Sequence, residues 1–260
     1  MEMLVDRLLD EIGSPDPDAA NAVIARYFAR HLQDIHDVNI HVMAKECSVS
    51  PASISRFVQR LGYDSFIEMK EAAEEENRLR ALPQFQFHPK GEMPLHPGEG
   101  LGEVHDRMQE WAGELAGVIL PETAAEIQQM AEDMLSSACI HLYCSHYNRA
   151  MADHIQAELF GRGVVCEIYS GVHPKISTVR SESTAVILSM NGFWIAQERS
   201  LQEYLQQRYA HIWIVTQKTD VQMPGASFVR LGEAETSVVN YLGWSLTAEQ
   251  IIYACQQSFK

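Results

Sequence analysis

The sequence predicts an all-α N-terminal domain built around a helix-turn-helix, followed by an α/β C-terminal domain with a parallel sheet flanked by helices. Three observations predict it. Apolar residues recur at three- and four-residue spacing through the first eighty positions. A stretch dense in proline and glycine then breaks the pattern. Beyond it, short apolar runs alternate with longer periodic segments, the signature of strands joined by crossover helices.

Residues 3 to 12 and 18 to 35 carry helical periodicity. Val42, Met43 and Ala44 open a short helix ending near Cys47, and small Ala44 and Ser48 are expected to let it cross the next helix closely. That next helix has a fixed start, because Ser50 stands where an N-cap belongs and Pro51 at the first helical position, where a missing amide costs nothing. Ile54, Phe57, Val58 and Leu61 form its apolar face, leaving Ser53, Ser55, Arg56, Gln59 and Arg60 to point elsewhere. Gly62 supplies a stop, and Ser65 is placed to cap a helix over 66 to 80. The run Glu74-Glu75-Glu76 reads as a solvated helix face. On spacing alone, an ordinary amphipathic helical hairpin accounts for the same pattern.

The residues go further than the spacing. The string Val49-Ser50-Pro51-Ala52-Ser53-Ile54-Ser55-Arg56-Phe57, followed by Leu61-Gly62-Tyr63 and Phe66, closely resembles the N-terminal domain of RpiR-type bacterial transcriptional regulators, and the resemblance covers residues 1 to 80. It implies a DNA-binding domain whose third helix enters the major groove. Arg56 and Arg60 would then reach phosphates or a guanine edge. Ser50, Ser53, Ser55 and Gln59 would touch phosphates or bases, and Lys45 would anchor the preceding helix.

Charge sets a limit on that reading. The chain of 260 residues carries a formal net charge of −15. Even residues 1 to 80 hold 15 acidic and 9 basic side chains. Phosphate neutralisation by Lys and Arg supplies most non-specific affinity for nucleic acid. Only residues 45 to 60 reverse the sign, so the expected DNA face is small, and useful affinity is expected to need two such units on one operator.

Five cysteines lack a Cys-x-x-Cys pair and their odd number completes no disulfide framework, which fits a reducing cytoplasm. The start Met1-Glu2-Met3-Leu4-Val5-Asp6 lacks the basic and apolar regions of a signal peptide, and no apolar segment is long enough to span a bilayer. A cytoplasmic protein without membrane partners is expected. His31, His36 and His41 recur at a spacing that misses a single helical stripe, so neither a metal nor another cofactor is expected.

Between Leu82 and Gly100 lie Pro83, Pro89, Pro94 and Pro97 with Gly91, Gly98 and Gly100, a density that neither a helix nor a central strand tolerates. Residues 81 to 100 therefore read as the linker between domains at 1 to 80 and 101 to 260. An ordered loop that buries Phe85 and Phe87 is the alternative. Helices are expected at 103 to 118 and 122 to 136, then strands at 138 to 144, 164 to 169, 184 to 189, 211 to 216 and 228 to 231. Helices near 148 to 161, 195 to 209 and 237 to 257 complete the pattern. Ligands of such sheets bind at the carboxyl ends of the strands. Two of those ends, Tyr143-Cys144-Ser145-His146-Tyr147-Asn148 and Leu188-Ser189-Met190-Asn191-Gly192-Phe193-Trp194, deliver small polar residues ahead of a helix start, where amides favour an anion. Ordinary strand-to-helix turn chemistry explains them as well.

In this context residues 101 to 260 resemble a sugar isomerase (SIS) domain, the usual C-terminal partner of the RpiR-type helix-turn-helix. In that family the first loop resembles Gly-x-Gly-x-Ser and the second Ser-x-Ser-Gly-x-Thr, and together they hold a phosphosugar. With the register set by Ala152, Leu159 and Gly163, Cys144, His146 and Asn148 take the places of the two glycines and the serine. In the second loop Ser189 and Gly192 match, while Asn191 replaces a serine and Trp194 the threonine. The resemblance implies a phosphosugar effector held by Ser145, Asn148, Ser189, Asn191 and Gly192, and a homodimer or homotetramer. The lost glycines keep a different small ligand, or a purely structural dimerisation module, as alternatives. Isomerisation needs a paired acid and base. Glu158, Glu233, Glu235 and His173 are not brought together by any spacing, so sensing rather than turnover is expected and no catalytic residue is assigned.

Overall fold

The computed structural model describes residues 4–13, 16, 19–80, 101–170, 182–190, 192, 199–234 and 237–258. The chain divides into two compact units, Glu2–Gln86 and Phe87–Lys260.

The first unit holds helices α1 (Leu4–Ile12), α2 (Ala20–Arg30), α3 (Ile40–Glu46), α4 (Pro51–Arg60) and α5 (Phe66–Arg80), with a short 3-10 turn at Ile35–Asp37. Their apolar faces meet in one core containing Leu8, Phe28, Met43, Ile54, Phe57, Val58 and Met69. The expected start of α4 is present, with Ser50 Oγ accepting from the Ser53 amide at 3.1 Å. Ser65 Oγ likewise accepts from the Glu68 amide at 3.1 Å and starts α5. Gly62, at φ 90°, closes α4 through bonds from its own amide to Gln59 O and from the Tyr63 amide to Val58 O.

Several expectations need correction. The helix read over 18 to 35 stops at Arg30, because the following backbone is taken by tertiary partners; Asn77 Nδ2 donates to Leu32 O at 2.6 Å. The short helix opens at Ile40 rather than Val42, since Asn39 Oδ1 accepts from the amides of His41 at 2.9 Å and Val42 at 3.4 Å. Ser48 is exposed and lies at φ 55°, so it forms the αL turn after α3 and plays no part in close helix crossing. Buried Ala44 alone serves that purpose.

Glu76 is the largest departure. Its side chain leaves the solvated face on which its neighbours lie and is only 6% exposed, with Oε2 accepting from the Leu4 amide at 2.6 Å and Oε1 from the Val5 amide at 3.4 Å. A carboxylate from α5 thus satisfies orphan donors at the start of α1 and complements its dipole.

The second unit is a five-stranded sheet in the order β2-β1-β3-β4-β5, parallel throughout. Its strands are β1 (Ile140–Cys144), β2 (Cys166–Ser170), β3 (Thr184–Leu188), β4 (His211–Thr216) and β5 (Ser227–Arg230). The helices are α6 (Leu101–Leu115), α7 (Thr123–Ser136), α8 (His146–Phe160), α9 (Arg199–Arg208) and α10 (Ser237–Ser258). Side chains of α7, α8 and α10 bury one face of the sheet, where Met130, Ile155, Trp244 and Ile251 meet Leu142, Val186 and Val215. The other face carries Tyr143, Ile187 and Ile214 beneath Leu201 and Leu205 of α9. Coverage on both faces explains the continuous apolar runs of β1, β3 and β4. Residues 81 to 100, read as a linker, and 195 to 198, read as the start of a helix, lie outside the described residues.

Replacing Glu76 by Gln removes the charge but keeps the shape. The expected loss is about 1 to 2 kcal/mol of stability, from charge-assisted bonds and the dipole, read as a lower midpoint in urea unfolding of the full chain followed by circular dichroism.

Candidate nucleic-acid interface and ligand loops

In the N-terminal unit, α3 and α4 form the helix-turn-helix. Lys45, Ser50, Ser55, Arg56, Gln59 and Arg60 are exposed and Ser53 is half-buried. The side chains on α4 are partly organised among themselves. Ser50 Oγ and Ser53 Oγ lie 2.9 Å apart, and Arg56 Nη2 donates to Ser53 Oγ at 3.3 Å, which holds the guanidinium against the helix start. Ser55 Oγ donates back to Pro51 O at 3.2 Å.

Arg60 is placed differently from the other basic groups. Its Nε donates to Glu11 Oε1 of α1 at 2.7 Å, with side-chain exposures of 63% and 14%. The positive charge that periodicity assigned to the helix surface is thus partly neutralised within the unit. Glu11 was missed because nothing in the sequence links positions 49 residues apart.

In the C-terminal unit the two candidate ligand loops, after β1 and after β3, begin where the winding of the sheet reverses. From β1 the chain passes through α8 to β2 on one side; from β3 it passes through α9 to β4 on the other. Loops at such a point splay apart, and the crevice between them is where open parallel sheets bind ligands. Cys144 pairs with Leu188 at the ends of adjacent strands, so Ser145 and Ser189 leave the sheet side by side.

Ser145 is the N-cap of α8 and makes no side-chain cap bond. Asn148, in the first turn, is buried; its Nδ2 donates to Leu188 O at 2.9 Å, so it ties the first loop to the second. Its Oδ1 is buried without a hydrogen-bond partner. Sequence pattern pointed to Asn148 as a donor; the structure engages its amide nitrogen with backbone and leaves the acceptor unmatched.

Ser189 is 5% exposed and its amide donates to Val215 O at 3.0 Å. The Gly192 amide donates to Ser189 O at 3.1 Å, closing a tight turn in which Gly192 has φ 65°. A Cβ there would lie 2.1 Å from Val221 Cγ2. Asn191 and Trp194 fall outside the described residues, as do His173 and Glu235.

A third loop, after β4, was not singled out by sequence reasoning. Thr216 Oγ1 donates to Met190 O at 3.2 Å, supporting the second loop from below. Buried Gln217 donates from Nε2 to Gly232 O at 2.7 Å and Asn240 Oδ1 at 2.8 Å. Asn240 in turn bonds both the amide and the carbonyl of Ala234. The polar end of β4 was the available signal. Of the groups weighed for isomerisation, Glu158 is exposed on α8, and Glu233 is held by Lys218 at 2.6 and 2.8 Å.

Residues 15–78 match the model of the helix-turn-helix domain of the rpiR family. The match spans α3 and α4, the helix-turn-helix of the N-terminal unit. No curated protein gives a significant match. Among solved structures, the chain is similar to the Vibrio vulnificus NanR protein complexed with ManNAc-6P, at 12% identity and a TM-score of 0.47, over 98% of this chain and 92% of that one. The sugar isomerase domain of an RpiR transcription factor from Sphaerobacter thermophilus is similar over 59% of this chain and 93% of its own, at 13% identity and a TM-score of 0.36. A putative sugar-phosphate isomerase from Listeria monocytogenes is similar over 62% and 92%, at 10% identity and a TM-score of 0.48. No helix among the described residues is long and apolar enough to cross a membrane.

The close packing at Gly192 gives a direct test. Gly192→Ala is expected to cost about 2 kcal/mol or more, from the positive φ and the clash together. Val221→Ala in the same chain removes the clashing methyl groups and is expected to recover part of that loss, so the two changes are non-additive in a double-mutant cycle of urea midpoints.

Proposed function

We propose that the chain is a transcriptional regulator whose helix-turn-helix binds operator DNA and whose C-terminal unit, a SIS-like domain, senses a phosphorylated sugar and dimerises. The observation that carries the reading is the pairing, in one chain, of an rpiR-family helix-turn-helix with two polar loops that meet at the reversal point of a parallel sheet. Residues 81 to 100 act as the linker between the two domains.

In the first unit, Arg56 and Lys45 supply phosphate or base contacts, with Ser50, Ser53, Ser55 and Gln59 as neutral partners. Arg60 contributes after exchanging Glu11 for phosphate. Each such exchange lowers the net gain, and this keeps binding to random duplex weak. Two heads on one dimer restore affinity on a paired site.

In the second unit, the amides that open α8 and the Gly192 turn face the phosphate, with Ser145, Ser189 and Asn191 as hydroxyl and amide donors. Asn148 Oδ1 needs a donor, which a sugar hydroxyl supplies. Catalysis ranks second, because Glu233 is committed to Lys218 and Glu158 faces outward. The effector acts by binding the DNA-competent and incompetent arrangements unequally; equal affinity would change nothing.

Two measurements test this. In a thermal-shift screen of the full chain against sugar phosphates, including ManNAc-6P, with the parent sugars and inorganic phosphate as controls, a phosphorylated sugar alone is expected to raise Tm. Asn148→Asp is expected to weaken that hit, because it removes the Nδ2 donor that ties the first loop to Leu188 O. A flat screen, or an equal response to parent sugars, would remove the phosphosugar reading.

For DNA, fluorescence anisotropy is measured on a duplex selected by the full chain from a random library. Arg56→Ala is expected to reduce affinity and to lower the salt slope by about one. Glu11→Gln is expected to raise affinity for random duplex, because it frees Arg60 from its internal partner. Unchanged binding in both variants would refute the assigned face.

A further inference from the structure

Cys139, His141 and Glu167 offer a thiol sulfur, an imidazole nitrogen and a carboxylate oxygen that all lie within 4.8 Å of one another. They sit toward the amino ends of β1 and β2, where His141 and Glu167 are paired residues of adjacent strands. The ligand loops leave the opposite ends of the strands. We propose that these three side chains form a zinc(II) site with a fourth position open to water, contrary to the expectation from histidine spacing.

Geometry is the first argument. Cys139 Sγ lies 3.2 Å from His141 Nε2, and Nε2 lies 3.5 Å from Glu167 Oε2. Zinc bound tetrahedrally at its usual Zn–S, Zn–N and Zn–O distances would set those separations at about 3.5 and 3.4 Å. Those two separations thus stand within a few tenths of an ångström of the matching edges of a zinc tetrahedron, and the third, between sulfur and carboxylate, is within 4.8 Å.

The surroundings of His141 are the second argument. The imidazole is fully buried. Nδ1 lies 2.5 Å from Tyr209 Oη, which is itself 2.7 Å from Tyr143 Oη. A proton held on Nδ1 by that phenol leaves the Nε2 lone pair directed at the cluster, the outer-shell arrangement that metal-bound histidines use. The rings of Tyr169 and Tyr209 meet the imidazole edge-on at interplanar angles of 79° and 83° and fix its plane. Tyr169 also donates to Glu167 Oε2 and so orients the carboxylate.

Charge and access complete the case. A thiolate and a carboxylate together neutralise a divalent cation, and neutral histidine adds nothing to the balance. The Glu167 side chain is 41% exposed, which leaves an entry path from solvent. Sulfur, imidazole and carboxylate in a tetrahedral set select zinc over magnesium or calcium, which prefer all-oxygen shells of higher coordination number. The site would cross-link β2, an edge strand, to β1.

The test uses untagged full-length protein. Equilibrium dialysis is expected to find one zinc ion per chain. Cobalt(II) in its place is expected to give intense tetrahedral d–d bands with a thiolate charge-transfer band. Cys139→Ser should abolish the charge-transfer band. Glu167→Gln should weaken zinc binding at least tenfold, and Tyr209→Phe about tenfold to a hundredfold, as loss of an outer-shell partner does. Far-UV circular dichroism establishes that each variant is folded. Cys139→Ala replaces any serine variant that is not. Absence of stoichiometric zinc, or a charge-transfer band that survives loss of the Cys139 thiol, overturns the proposal.

Discussion

The reversal of winding between β1 and β3 is the constraint on which the C-terminal unit depends. A right-handed crossover puts α8 on one face of the sheet, and a second crossover in the opposite direction puts α9 on the other. The two loops that begin these crossovers must therefore separate above adjacent strand ends. Among the described strands, in the order β2-β1-β3-β4-β5, no other pair of loops does so. The crevice is a consequence of chain direction, and side chains only furnish it. Asn148 spans its base by bonding Leu188 O, and Thr216 supports it from the next strand by bonding Met190 O. Both bonds fix loop backbone.

That arrangement bears on the departures from the family pattern. Two glycines expected in the first loop are occupied by Cys144 and His146. The Cys144 side chain turns into the apolar core beneath α8 and is fully buried, so it does not obstruct the crevice. In the second loop Gly192 remains at a positive φ with Val221 packed against it. Gly192 thus keeps the backbone conformation of its turn, and at Cys144 the side chain that replaces a glycine lies in the core.

Much of the fold was legible in the sequence because its signals are local. Ser50, Pro51, Gly62 and Ser65 act on bonds within a few residues, and each stands where periodicity placed it. Strands were legible because burial on both faces leaves continuous apolar runs at Thr184–Leu188 and His211–Thr216. What was not legible joins distant positions. Glu76 reaches the start of α1 across 72 residues, and Arg60 reaches Glu11 across 49. A charged residue in a helical repeat reads as solvated whether or not another helix offers it unpaired amides. The same blindness applied to the site: Asn148 was recognisable as polar and well placed, but the atom it leaves open depends on a carbonyl 40 residues away. Cys139 and His141 are near neighbours in sequence, whereas Glu167 joins them only through strand register.

The Arg60–Glu11 pair ties the N-terminal fold to its electrostatics. With 15 acidic against 9 basic side chains, residues 1 to 80 are net negative, and the proposed DNA face on α3 and α4 is the exception. Holding Arg60 on Glu11 narrows that face further. On random duplex, the gain from one phosphate contact is then offset by the loss of one internal contact. In the proposed operator complex, the guanidinium of Arg56 and the neutral donors beside it would add contacts that a wrong sequence does not return. Low intrinsic affinity thus favours discrimination, since the specificity ratio against abundant non-specific DNA matters more than the strength of a single head. In the proposed dimer, the second head supplies affinity without raising non-specific attraction per unit, so an effector that changes the spacing of the heads need shift only a small free energy. About 1.4 kcal/mol of differential binding alters occupancy tenfold, which lies within the range that allosteric ligands usually supply.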